Sequence, residues 1–255
     1  MAENQKDQKT IFEKLNGKQG VSLGIGIAVL IIICFFAYLG LTGKNISISK
    51  SQDQGASDTT TTEQAAQPNV DISQVDTKGE PFIGSANAPV TMAYWFDYQC
   101  PFCKKFETDT LPELKSKYID TGKLKVVFKD FQFLGPDSQT AGAAAEAVWE
   151  LYPNRFWDWQ TAMFNAQGTE NSGYDSKDNI IKLTRTVAGI DADKVSALMD
   201  QKKSDIQTEL DGDKSEGEKL GVNSTPAFII GNQLISGAEP AATFEQAIDN
   251  ELNKK

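Results

Sequence analysis

The stretch Val90-Thr91-Met92-Ala93-Tyr94-Trp95-Phe96-Asp97-Tyr98-Gln99-Cys100-Pro101-Phe102-Cys103 decides the fold. Its first seven residues are an apolar run between Pro89 and Asp97, the pattern of a largely buried strand. Pro101 suits the first turn of a helix, where a missing N–H costs nothing, and Phe106, Leu111 and Leu114 continue an apolar face behind it. Pro112 inside that pattern predicts a kink. Thr121-Gly122 closes the helix, and Leu124-Lys125-Val126-Val127-Phe128-Lys129-Asp130-Phe131 makes a second strand. Strand, helix and strand in this order predict a βαβ unit with parallel strands and a right-handed crossover.

Beyond it, residues 137–211 read as helical. Ser138 to Leu151 is Ala-rich, Phe156 to Gln167 carries Trp157, Trp159 and Phe164, Ser176 is placed to cap a helix to Ala188, and Asp191 to cap the next. The insertion spans about residues 137–215. Strand signals then return as Ala227-Phe228-Ile229-Ile230 and Gln233-Leu234-Ile235, joined by the two-residue turn Gly231-Asn232. Pro240 opens a last helix on which Phe244, Ile248 and Leu252 recur every four residues.

Towards the N-terminus, residues 44–79 hold few aliphatic and no aromatic residues, which predicts a flexible tether. Before it, no charge occurs between Lys18 and Lys44. About 20 apolar residues cross a hydrocarbon core roughly 30 Å thick, so residues 19–43 are expected to form a single transmembrane anchor; a cleavable signal peptide would be shorter and end at small residues, where Leu39 and Leu41 stand. Lys6, Lys9, Lys14 and Lys18 outnumber Lys44 and Lys50 after the run, which keeps residues 1–18 as a cytoplasmic tail and puts the domain from 80 to 255 outside the cell membrane. Cys34 falls within the run, either as a small residue facing lipid or as a link to a second copy or membrane partner.

The 255-residue chain carries a net charge of -10, of which residues 81–255 hold -8 once +1 is assigned to residues 1–18 and -3 to residues 44–80. Nucleic acid is thereby disfavoured as a partner, because its recognition rests on basic patches. Histidine is absent, which excludes Ser-His-Asp and Cys-His catalytic sets and the HExxH zinc site.

Cys100 and Cys103 admit three readings. Structural zinc wants four ligands, and the domain offers two. A structural disulfide between residues three apart closes too small a loop to constrain the unfolded chain much. The redox reading has support at each atom. At a helix N-terminus the Cys100 thiolate is stabilised, lowering a thiol pKa from about 8.5 into the range of roughly 3.5–7.5, while Cys103 one turn on can attack Cys100 and close the disulfide. Lys104 and Lys105 either add positive charge there or are solvated on the helix surface.

Phe96-Asp97-Tyr98-Gln99-Cys100-Pro101-Phe102-Cys103-Lys104, Gly122-Lys123-Leu124, Phe156-Trp157 and Gly221-Val222-Asn223-Ser224-Thr225-Pro226-Ala227-Phe228 resemble the DsbA-like family of thioredoxin-fold thiol–disulfide oxidoreductases, in particular its membrane-anchored extracytoplasmic members. The resemblance runs from about Pro81 to the C-terminus. It implies an α/β, thioredoxin-like fold (βαβ, helical insertion, ββα) preceded by one transmembrane helix. It also implies a cis Pro226 beside the cysteines, with Thr225 offering backbone to an extended substrate; a proline there cannot donate a competing hydrogen bond. Pro101 and Phe102 complete the expected site, and Phe82, Phe102 and the Thr225-Pro226 loop are expected to line a shallow apolar groove. No metal or cofactor is called for. Expected partners are reduced or unfolded secreted proteins and a quinone-linked membrane protein that reoxidises the pair. Related proteins often carry a buried acid six residues before the first cysteine as a proton relay for the second; here that position is Tyr94, with Asp97 as a possible substitute. The same atoms serve an oxidase, a reductase or an isomerase, and a chaperone could keep the fold without turnover.

Overall fold

The computed structural model describes residues 70–254. Two strands come first, β1 (Phe82–Gly84) and β2 (Val90–Phe96). A long helix, α1, follows in four consecutive pieces, Pro101–Lys105, Phe106–Thr110, Leu111–Leu114 and Lys115–Ile119, and leads to β3 (Leu124–Asp130). The insertion holds α2 (Pro136–Leu151), α3 (Phe156–Ala166), α4 (Lys177–Thr184), α5 (Ala192–Gln201) and α6 (Lys203–Lys219). β4 (Ala227–Ile230), β5 (Gln233–Ser236) and α7 (Ala241–Leu252) complete the fold. The sheet runs β1-β3-β2-β4-β5, with β2 and β3 parallel and the other pairs antiparallel. The βαβ, insertion and ββα order is the one expected; β1 is an added edge strand that its three residues do not announce.

β2 is buried on both faces because successive strand residues point to opposite sides of a sheet. Met92, Tyr94 and Phe96 join the main core with Phe106, Phe128, Phe228 and Phe244. Ala93 and Trp95 join a second cluster with Val70, Val75, Phe131, Val222 and Ile229. This explains why the strand reads as a continuous apolar run rather than an alternating one. On the second face the Trp95 indole N–H donates to the Asp213 carbonyl at 3.1 Å. Lys129 is buried there and paired with Glu80 at 2.6 Å, Asp213 at 2.5 Å and Glu216 at 3.2 Å. Loss of water pushes the Glu80 and Asp213 carboxyls above their usual range even beside that ammonium.

Two expectations are corrected, and the helix at Pro112 takes a specific form. Residues 70–79, read as the end of a flexible tether, are packed: Val70 and Val75 are buried, and the Ile72 N–H donates to the Gly231 carbonyl at 2.7 Å. Their valines are too sparse to look like an element, yet they cover the Trp95 face. At Pro112 the helix widens: Leu111 N–H reaches back to the Phe106 carbonyl, a π-type turn that accommodates the ring. The helix after Ser176 ends at Thr184 rather than Ala188, and Ser176 makes no side-chain cap bond, whereas Asp191 caps α5 through the N–H groups of Asp193 and Lys194. The tail, the anchor over 19–43, Cys34 and tether residues 44–69 lie outside the described residues. Among the described residues no helix is long and apolar enough to cross a membrane.

Gly217 of α6 passes directly over Trp95: a Cβ there would lie 2.8 Å from the indole nitrogen, and that ring is fully buried. Alanine gains about 1 kcal/mol of helix propensity but overpacks the contact, which costs about 1–3 kcal/mol. Gly217→Ala is therefore expected to lower the urea midpoint with an unchanged slope; a raised midpoint would show that the helix moves freely off the sheet.

Candidate active site

β2 delivers its chain to the sheet end at Phe96, and the turn Asp97–Gln99 passes it to α1, with Cys100 as the N-cap in extended conformation (φ -71°, ψ 118°) and Pro101 opening the first turn. The Cys100 N–H donates to the Asp97 carbonyl at 3.0 Å, and the Cys100 carbonyl accepts from Lys104 N–H at 3.2 Å. Both cysteines are free thiols, Cys100 being 5% exposed and Cys103 fully buried. From the far side, the loop before β4 brings Thr225 and Pro226, joined by a cis peptide bond. The Cys100 thiol donates to the Thr225 carbonyl at 3.3 Å. Phe102 is 61% exposed beside this junction.

The two sulfurs sit in opposite electrostatic settings. The neighbouring Cys103 thiol, together with the backbone N–H groups of Cys103 and Phe102, holds the Cys100 thiol down at about 6 against the cost of partial burial. Burial pushes the Cys103 thiol well above its ordinary value, and the neighbouring Cys100 adds to the rise. Donors directed at one sulfur and none of its solvation left to the other make Cys100 the anion and Cys103 the acid.

Asp97 anchors the cysteine turn. Its Oδ1 accepts from the Gln99 N–H at 2.9 Å and the Ser138 hydroxyl at 2.7 Å, and its Oδ2 from the N–H groups of Phe133 at 3.0 Å and Leu134 at 3.2 Å. Four donors occupy the carboxylate and tie the cysteine turn to the β3–α2 connection. The loop after α3 fastens the same turn from outside. Gln167 donates its amide to the carbonyls of Tyr98 at 2.6 Å and Cys100 at 3.0 Å, and the Tyr174 hydroxyl adds a bond to Tyr98 at 3.2 Å.

Behind Cys103, Tyr94 is fully buried and stacked on Phe228, ring centroids 4.7 Å apart at 15°. Its hydroxyl has no hydrogen-bond partner. Glu107 follows Cys103 by four residues in α1, is buried, and accepts from the Gln160 amide at 3.2 Å; desolvation lifts its carboxyl to about 8. An acid on the apolar face of α1 is its one sign in the sequence. Gln160 and Gln167, on a separate helix and loop, gave no sign.

Lys104 donates to the Gln167 carbonyl at 3.2 Å and Lys105 pairs with the exposed Asp109 at 2.7 Å, in keeping with the reading of the two as helix-surface residues. One expectation is not met. Phe82 packs edge-on to Trp149 at 5.7 Å on the β1 edge, not in a groove beside Phe102; the exposed apolar neighbour of the cysteine turn is instead Phe133, 46% exposed next to the N–H that Asp97 holds. Among the described residues no group of three His, Cys, Asp or Glu side chains is arranged to hold a metal ion.

Comparison with known proteins places this geometry in a family. The Thioredoxin family model matches residues 76–250. Disulfide bond formation protein D of Bacillus subtilis is 29% identical over 182 residues, covering 71% of this chain and 81% of that protein. The probable disulfide bond formation protein D of Bacillus cereus is 28% identical over 174 residues, covering 68% and 78%. Oxidised BdbD from Bacillus subtilis superposes with a TM-score of 0.65 at 27% identity over 70% of this chain and 95% of its own. The thiol-disulfide exchange protein alpha-DsbA2 from Wolbachia pipientis gives 0.61 at 26% identity over 69% and 89%.

The thiolate absorbance of the reduced chain near 240 nm should titrate with one midpoint at about pH 6, set by Cys100, and no second step before pH 9. Because the folded pKa lies below the unfolded one, the Cys100 contribution to stability is present above the unfolded value and lost as pH falls through about 6. Relative to Cys100→Ser, the reduced chain should therefore gain stability between pH 6 and 9 in urea melts. An invariant difference would contradict the assigned thiolate.

Proposed function

Because the chain belongs to the thioredoxin family and is a thiol–disulfide oxidoreductase of the DsbA-like kind, we propose that it is a net oxidant, passing a Cys100–Cys103 disulfide to cysteine pairs of secreted or surface proteins. The contrast between the two sulfurs carries this reading. A substrate thiolate attacks Cys100 Sγ, the Cys100–Cys103 bond breaks, and Cys103 takes the electron pair and a proton. A second substrate thiolate attacks the first substrate sulfur, and Cys100 leaves as a thiolate. The substrate has lost two electrons and the enzyme holds them as two thiols. Stabilising the Cys100 thiolate favours the reduced enzyme, which is what makes such a pair a strong oxidant.

The surroundings suit an unfolded chain. Phe102 and Phe133 expose apolar area beside the Cys100 end of the helix, and the carbonyl of Thr225 faces the same sulfur. The uncharged run between Lys18 and Lys44 supports a membrane anchor with the domain outside the cell, an oxidising setting in which disulfides persist. The anchor would hold the domain in one plane with a quinone-linked membrane protein that removes the two electrons, raising their effective concentration.

The test is stoichiometric exchange between the oxidised full chain and a reduced two-cysteine peptide. One peptide disulfide should form per chain, Cys100→Ser should form none, and Cys103→Ala, offered the oxidised form of the peptide instead, should trap a mixed disulfide through Cys100 as the second peptide sulfur leaves as a thiolate. Net reduction of an oxidised peptide by the reduced chain would reverse the direction, and peptide binding that survives Cys100→Ser without exchange would replace the enzyme with a binding module.

A further inference from the structure

The helical insertion lays a strap across the cysteine turn, and Gln167 is its joint; what that joint does rests on the oxidoreductase reading above. Gln167 is the C-cap of α3, its backbone N–H donating to the Phe164 carbonyl at 3.2 Å and its backbone carbonyl accepting from the Lys104 ammonium at 3.2 Å. Its side-chain amide nitrogen donates twice, to the carbonyls of Tyr98 at 2.6 Å and Cys100 at 3.0 Å. Farther along, the Asn171 N–H donates to the Gln99 side chain at 2.5 Å, and the Asn171 amide to the Leu134 carbonyl at 2.9 Å. Cys100 is the N-cap of α1 and Pro101 has no N–H, so the first-turn donors open to the Cys100 sulfur are the N–H groups of Phe102 and Cys103. Both help to hold that thiol down at about 6. The sulfur meets them while Cys100 keeps its φ of -71° and ψ of 118°. The bond from the Cys100 N–H to the Asp97 carbonyl holds the peptide plane that sets φ, and the direction of the Cys100 carbonyl sets ψ. Within the helix that carbonyl has the Lys104 N–H at 3.2 Å, a bond of the first turn, where helices fray. Gln167 is its donor from outside the helix.

We propose that Gln167 is a positioning residue for disulfide exchange: by holding the Cys100 carbonyl it keeps the Cys100 sulfur under the N–H groups of Phe102 and Cys103, which makes the end of α3 a determinant of the pair's oxidising strength. Gln167 neither gives nor takes a proton and touches no reacting atom; it acts through the backbone of Cys100. Without its amide the Cys100 carbonyl is left to the first-turn bond, ψ widens, and the sulfur spends less time under its donors. Two consequences follow from the chemistry of exchange. The reduced pair loses part of its advantage over the disulfide, and Cys100 becomes a poorer leaving group when the second substrate thiolate releases the oxidised product. Gln167→Met keeps the length of the side chain and removes the donors, while Gln167→Glu turns them into acceptors facing two carbonyls. In both variants the Lys104 ammonium still holds the backbone of residue 167, and Asn171 and Tyr174 still hold the turn, so the loss is confined to the two amide bonds.

The experiment compares the full chain with Gln167→Met, Gln167→Glu and Gly217→Ala, the last weakening the fold at the Trp95 face of the sheet. Thiolate absorbance near 240 nm should show the Cys100 midpoint moving from about 6 to about 7 in Gln167→Met, the scale of one weakened bond to a charged group, and farther in Gln167→Glu. A rise of about one pH unit shifts the equilibrium with glutathione at pH 7 about fivefold toward the Cys100–Cys103 disulfide. Gly217→Ala should lower the urea midpoint and leave both redox readouts at their wild-type values, which separates positioning from general loosening. In the wild-type chain, where no variant has to fold, the side-chain amide protons of Gln167 should titrate with Cys100 at about pH 6 in NMR spectra. A Gln167→Met midpoint within about 0.2 of wild type, an equal shift in Gly217→Ala, or Gln167 amide signals that stay put through pH 6 overturns the proposal. A wild-type pair that exchanges with neither glutathione nor a peptide would instead overturn the oxidoreductase reading on which it rests.

Discussion

Two sulfurs three residues apart must hold opposite charge states, and the rest of the molecule serves that requirement. One turn of helix separates an N-terminus, where unpaired N–H groups and the dipole favour an anion, from an interior that penalises one. Cys100 occupies the first environment and Cys103 the second. Neither setting exists without a fully buried β2 to aim the turn, a cis Thr225-Pro226 junction to cover Cys100, and an apolar wall of Tyr94, Phe106 and Phe228 behind Cys103.

Holding the turn rigid buries several polar groups, and many of them are matched. Asp97 gathers four donors, Lys129 gathers three carboxylates, and Gln167 and Tyr174 tie down the Tyr98 carbonyl. A buried acceptor or charge left unmatched would cost about 1–3 kcal/mol or more. The Tyr94 hydroxyl, in the apolar wall behind Cys103, is among the buried polar atoms left without a partner. The helical insertion thus does more than cap the sheet. Its α3 reaches Glu107 through Gln160, and the loop after it closes over the cysteine turn.

Much of this was legible in the residue order. β2 begins and ends where its apolar run does, β3 falls within one residue of its reading, and the hairpin turns at Gly231-Asn232 as read. Those elements are specified locally, by runs, prolines and turn residues. What escaped is specified by distant partners. The four donors around Asp97 left no local sign because Ser138, Phe133 and Leu134 come from the connection after β3. Residues 70–79 looked like tether because two valines suffice to cover Trp95 once the sheet exists. Glu107 alone left a local trace, an acid on an apolar helical face.

Everything rests on the reduced pair being favoured by its surroundings, and a reduction potential reads that directly, since about 30 mV corresponds to about 1.4 kcal/mol for this two-electron couple. The measurement is the equilibrium of the full chain with graded glutathione redox buffers, followed by trapping free thiols at Cys100 and Cys103. A potential near about -120 mV, the range of strong oxidants of this fold, is the expected result. A value near about -270 mV would mean that the Cys100 thiolate is not held as the geometry indicates, and would contradict the account.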